Sequence, residues 1–158
     1  ARRRIFHQRA LDALRALSVP AAILAYHAQA AGLMDAAFHY LLIAADDAMR
    51  LFAISDAITI YEQAQQCMHE YSGEKDGQTN ISLSEQCHLY VQLGEAYELN
   101  SELEKARTMY SEMLTCAKAH SDSEMECAAL NRLATVTAHD AVNAVNVAKA
   151  LQIAESNN

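Results

Sequence analysis

The chain has 158 residues, 52% of them hydrophobic and 20% charged, and a net charge of −8. That length suits one domain, and its richness in alanine with only four glycines and one proline points to an all-α fold. No run of 18 apolar residues occurs, so no membrane-spanning helix is expected, and the acidic balance argues against broad contact with a phosphate backbone.

The first predicted helix runs from about Arg3 to Leu17, with Phe6, Ala10, Leu14 and Leu17 as one apolar stripe. Ser18-Val19-Pro20 breaks it, Ser18 serving as an N-cap. A second helix covers about Pro20 to Ala31 and stops at Gly32, a residue suited to the left-handed position after a helix. The third spans about Leu33 to Leu51, with Asp35 in its first turn. The fourth runs from about Phe52 to Tyr71 and opens with Ser55 and Asp56. Residues 72–80 are polar and glycine-containing and form the one real loop. Ser82 or Ser84 caps a fifth helix that ends near Leu99. Ser101 and Glu104 have the spacing of a capping box for the sixth, from about Glu102 to Ala119. A seventh runs from Asp122 or Ser123 to about His139, and an eighth from about Ala141 to Glu155.

Helices of this length joined by short turns stack as antiparallel hairpins. Three segments share a small residue followed four positions later by a large one: Ala37/Leu41/Ala44, Ala57/Tyr61/Ala64 and Ala106/Tyr110/Met113. Leu133-Ala134 echoes Leu93-Gly94 outside a strict 34-residue register. Tyr61, Tyr90, Tyr97 and Tyr110 read as core positions rather than as a stacking platform for bases.

In residues 87–120, Tyr90, Leu93-Gly94, Tyr97, Ala106 and Tyr110 have the spacing of a tetratricopeptide repeat, which this segment resembles. His7-Gln8-Arg9-Ala10-Leu11, leading into the segment Ile23 to Gly32 with its Leu24-Ala25-Tyr26-His27-Ala28 and then into Ala36 to Ala45, resembles the helical repeats of STAND-class signalling ATPases, the MalT-like and AfsR/SARP-like regulators. Together the resemblances imply a single domain over residues 1–158. Its fold would be a right-handed, TPR-like α-solenoid of about eight helices, cut from a longer cytoplasmic chain, as the missing initiator Met also suggests. Its implied role is a sensor or interaction arm of a bacterial signalling or transcriptional regulator. The alternative is a free-standing adaptor or oligomerisation module. The nucleotide-binding part would lie upstream, and no phosphate-binding G-x4-G-K-[ST] occurs here.

In such an array the first helix of each pair lines a groove. The groove positions implied are His88, Val91, Gln92, Glu95 and Glu98, followed by Asn131, Arg132 and Thr135. Tetratricopeptide domains that clamp a peptide carboxylate use Lys, Arg and Asn there, whereas Glu95 and Glu98 favour a basic or polar protein or peptide. A small apolar inducer between helices and self-association are the other partner classes. The first 50 residues carry six Arg against four Asp, so Arg2–Arg4 with Arg9 could touch nucleic acid or acidic lipid, but a solvated first turn is the simpler reading.

Catalytic, cofactor and metal sites are not expected. Cys67/His69 and Cys87/His88 are too close in sequence to share a helical face, and no His pair has the i, i+4 spacing of a zinc site. Glu95/Glu98 and Glu102/Glu104 fall on polar faces, where acid–base chemistry lacks the burial it needs. Four cysteines without a C-x-x-C pair read as buried, reduced thiols.

Overall fold

The computed structural model describes residues 2–72 and 81–138, leaving aside the side chains of 71 and 72. Among these residues run seven helices and no strand. They are α1 (Arg2–Leu14), α2 (Ala21–Ala31), α3 (Met34–Arg50), α4 (Ile54–Ser72), α5 (Leu83–Leu99), α6 (Leu103–His120) and α7 (residues 123–138). The expected loop beyond residue 72 and the eighth helix lie outside the described residues. Each helix from α1 to α5 packs against its successor, and α3 also touches α5.

Helix α1 differs from its expected form. It stops at Leu14, and Leu17 is exposed. Its buried face is His7 and Leu11, with Leu14 packed against the core, while Phe6 is 67% exposed. The stripe was displaced because His7 is an unexpected core residue. Its Nδ1 lies 3.1 Å from Nδ1 of His27 on α2, so one ring offers N–H and the other a lone pair. Ser18 caps nothing, since the residue before α2 is Pro20, with extended backbone and no side-chain cap.

The later turns share one construction. Gly32, Phe52, Ser101 and Ser121 all have positive φ, at 79°, 57°, 62° and 55°. In each case the next N–H reaches back five residues: Leu33 to Ala28, Ala53 to Ala48, Glu102 to Tyr97 and Asp122 to Ala117, at 2.8–3.0 Å. This is the Schellman closure, which satisfies carbonyls left open at a helix end and prefers glycine at the left-handed position. Gly32 is there for its φ, because an added Cβ would meet only the Arg4 guanidinium at 3.5 Å. The same closure explains why the Ser101–Glu104 capping box does not form. Ser101 is the left-handed residue ending α5, and Glu102 takes the N-cap without a side-chain bond. A full capping box forms instead between Ser82 and Glu85 at the start of α5.

Two hairpins repeat with an offset of 49 residues. Helices α3 and α5 are both 17 residues long, with N-caps at Leu33 and Ser82. Both end in a residue near φ −88°, ψ 4° (Leu51, Asn100), then a left-handed one (Phe52, Ser101). Buried Leu41, Ala44, Ala45 and Ala48 fall on Tyr90, Leu93, Gly94 and Tyr97. Buried Ala57, Tyr61, Ala64 and Met68 of α4 fall on Ala106, Tyr110, Met113 and Ala117 of α6. The Ala37/Leu41/Ala44 triplet is therefore misaligned in the sequence reading. It sits on a first helix, although all three residues are buried.

The tyrosines at core positions are buried as expected. Three of them donate their hydroxyl to a carboxylate: Tyr61 to Asp46 at 2.5 Å, Tyr97 to Glu62 at 2.7 Å and Tyr110 to Glu98 at 2.5 Å. Burying a phenol without such a partner would cost about 1–3 kcal/mol. Gly94 is required by space, since a Cβ there would overlap the Tyr110 ring. All four cysteines are free, but only Cys67 is buried, and Cys127 is exposed. The expectation of four buried thiols fails because Cys87, Cys116 and Cys127 lie toward the edges of their helices' packed faces.

Candidate functional site

Helices α3, α5 and α7 present one continuous polar face. Periodicity puts His88, Val91, Gln92 and Glu95 of α5 on it, at i, i+3, i+4 and i+7. Side chains bridge from helix to helix across it. His39 Nδ1 of α3 lies 3.2 Å from Glu85 Oε1 of α5. His88 Nε2 of α5 lies 3.0 Å from both oxygens of Asp46 on α3. Glu95 of α5 pairs with Arg132 of α7. His39 and His88 occupy equivalent positions in the two hairpins.

Between the N-terminal halves of α5 and α7 this face opens into a groove of about 480 Å³. Leu83, Cys87, Val91, Met125 and Ala128 supply an apolar floor, and Ser84, His88, Asp122 and Glu124 a polar rim. The local sequence builds both walls. The Ser82–Glu85 box starts α5, with Glu85 N–H donating to Ser82 Oγ at 3.2 Å and Ser82 N–H to Glu85 Oε2 at 3.0 Å. Asp122 starts α7 by accepting the Met125 N–H at 2.9 Å.

Of the expected groove residues, His88 and Val91 line this opening. Gln92 donates to Glu95 at 3.4 Å, and Glu95 is neutralised by Arg132, so this pair lies farther along the face. Glu98 is committed to the core as the acceptor of Tyr110. Asn131 and Thr135 are exposed on α7, where Thr135 Oγ1 donates to the Asn131 carbonyl at 3.0 Å. Asp46, Asp122, Glu124 and Met125 join the site beyond the expected residues. Asp122 carried a helix-start signal. Asp46 carried none, because its partners Tyr61 and His88 are 15 and 42 residues away.

The electrostatics of the face follow from burial and its acidic neighbours. Burial raises the Cys87 thiol, and Asp122, Cys116 and Glu124 add to the effect, so the groove thiol stays protonated and weakly nucleophilic. Burial also raises Tyr61, reinforced by Asp46, and pushes Tyr90 up to about 12. Glu85 responds in the opposite direction. Burial would raise it, but hydrogen bonds from Ser82 and the neighbouring His39 outweigh that and hold it below the usual carboxylate range. Among the described residues no three His, Cys, Asp or Glu side chains converge as a metal cage, and no helix is long and apolar enough to cross a membrane.

Set against known proteins, the chain matches no family model, no curated protein and no solved structure.

Proposed function

We propose that this chain is a non-catalytic interaction arm, a right-handed TPR-like α-solenoid of antiparallel hairpins that holds a basic, amphipathic peptide or helix in the α5–α7 groove. One observation carries the reading: an apolar floor (Val91, Met125, Ala128) bounded by Asp122 and Glu124. An amphipathic helix laid in such a groove buries its apolar face and sets its basic flank against the acidic rim. The repeated Schellman turns and the 49-residue hairpin offset support a repeat scaffold. Asp122 follows Ser82 by 40 positions, a longer hairpin than the 34 of a tetratricopeptide repeat. A place in a bacterial signalling or transcriptional regulator rests on the likeness of residues 7–11 and 23–45 to STAND-class repeats.

Calorimetry with a Leu/Lys amphipathic peptide, and a Leu/Glu peptide of equal length as control, tests the groove. The basic peptide binds, the acidic one does not, and reversing the exposed rim charge with Glu124→Lys weakens binding about tenfold. Equal binding of the two peptides, or indifference to Glu124→Lys, overturns the reading.

A further inference from the structure

The turn between α3 and α4 breaks a rule that its three counterparts keep. Where those turns place Gly32, Ser101 and Ser121 in the left-handed region, this one places Phe52 at φ 57°. Left-handed backbone disfavours bulky side chains, and Gly or Asn is the usual occupant. Phe52 gains nothing in return from the core, since it is 86% exposed, and Leu51 beside it is 79% exposed. At the equivalent positions the second hairpin carries the polar pair Asn100-Ser101. Neither local conformation nor packing accounts for an apolar knob here, whereas contact with another surface does. Beside the knob lies a groove of about 460 Å³ whose floor includes Ala44, Ala48, Ala53 and Ile60 and whose edge includes Asp56.

The chain carries a face of matching chemistry on its first two helices. On α1 and α2, Ile5, Phe6, Ile23 and Tyr26 are 52%, 67%, 42% and 55% exposed. The Phe6 and Tyr26 rings each stand edge-on to His7, at centroid distances of 5.7 and 5.6 Å. Arg9, one turn after Ile5, is exposed on the same helix. One surface is apolar with an acidic edge, and the other is apolar with a basic edge.

We propose that the Leu51–Phe52 knob and its groove dock onto the α1–α2 face of a second copy of this chain, setting Asp56 against Arg9. Like-with-like pairing would place Arg9 against Arg9 or Asp56 against Asp56, so the contact joins unlike surfaces. It closes as a reciprocal two-fold dimer where both knobs seat at once, and otherwise lengthens head-to-tail with concentration. It uses neither Met125 nor the acidic rim of the α5–α7 groove, so its failure and that of the peptide groove are separable.

Sedimentation velocity of the whole chain across concentration, at low and high salt, tests the pairing. The wild type associates with concentration, more weakly at high salt. Phe52→Ser installs the residue found at two counterpart turns. It weakens association about tenfold or more while the melting temperature holds or rises. Arg9→Glu weakens association, and adding Asp56→Arg restores it. A wild type that stays monomeric throughout, a Phe52→Ser variant that associates as tightly, or a charge swap that restores nothing would each overturn the proposal.

Discussion

The α3–α4 and α5–α6 hairpins have one backbone plan and two solutions for the same buried tyrosine. In the first, position 45 is alanine, and Tyr61 donates to Asp46, the neighbouring residue. In the second, the equivalent position is Gly94. The Tyr110 ring lies over the space where a Cβ would be, and its hydroxyl reaches Glu98, four residues farther on. One methyl group on the first helix thus goes with the choice of carboxylate one turn away. That choice propagates to the surface. Asp46, already holding Tyr61, also meets His88 across the α3/α5 face, while Glu95, released from Tyr110, is free to pair with Arg132 of α7.

The strongest way to break the comparison is to remove the rings. Tyr61→Ala and Tyr110→Ala each empty a fully buried site, and each should cost about 3–5 kcal/mol in denaturant titrations. If either costs under about 1 kcal/mol, that tyrosine is not the keystone of its hairpin. Exchanging the small residues sharpens the difference. Gly94→Ala drives a Cβ into Tyr110 and should destabilise by about 1–3 kcal/mol despite the better helix propensity of alanine. Ala45→Gly meets no such clash and should cost about 1 kcal/mol, the usual penalty of glycine in a helix.

The smallest effect lies at the helix starts, where Leu33 gives α3 no side-chain cap and Ser82 gives α5 a full box. Ser82→Ala should cost about 1 kcal/mol. The box also has a pH signature. Because the folded state lowers the Glu85 carboxyl, its contribution is full above the unfolded carboxylate range near pH 4 and is lost as pH falls through the lowered value. The stability gap between wild type and Ser82→Ala should therefore narrow on acidification. A gap constant from pH 7 to pH 2 would remove Glu85 from that role.

Much of the helical framework was legible because its signals are local. Gly32 as a left-handed stop, Ser82 as a cap and the tyrosine spacing of 87–120 depend on residues within one or two turns. Misreadings occurred where local signals competed. Ser101 matched the capping-box pattern, but the Schellman closure of α5 claimed it first. Phe6 fitted an apolar stripe, yet His7 took the buried place because His27 offered it a hydrogen-bond partner from another helix. For the candidate site, His88 and Val91 were expected from the repeat resemblance and its first-helix face, whereas Glu98 shared that face and was drawn instead to Tyr110.

By itself the sequence determined an all-helical chain, its main breaks and the tyrosines that fill its core, since period, propensity and capping act over a few residues. Tertiary structure decided which carboxylates serve those tyrosines, which pair across helices and which remain to edge the α5–α7 groove. Those choices compare partners up to 47 residues apart, from Gln65 with Glu112 to Asp46 with His88, and only the packed arrangement of helices brings such partners within hydrogen-bonding distance.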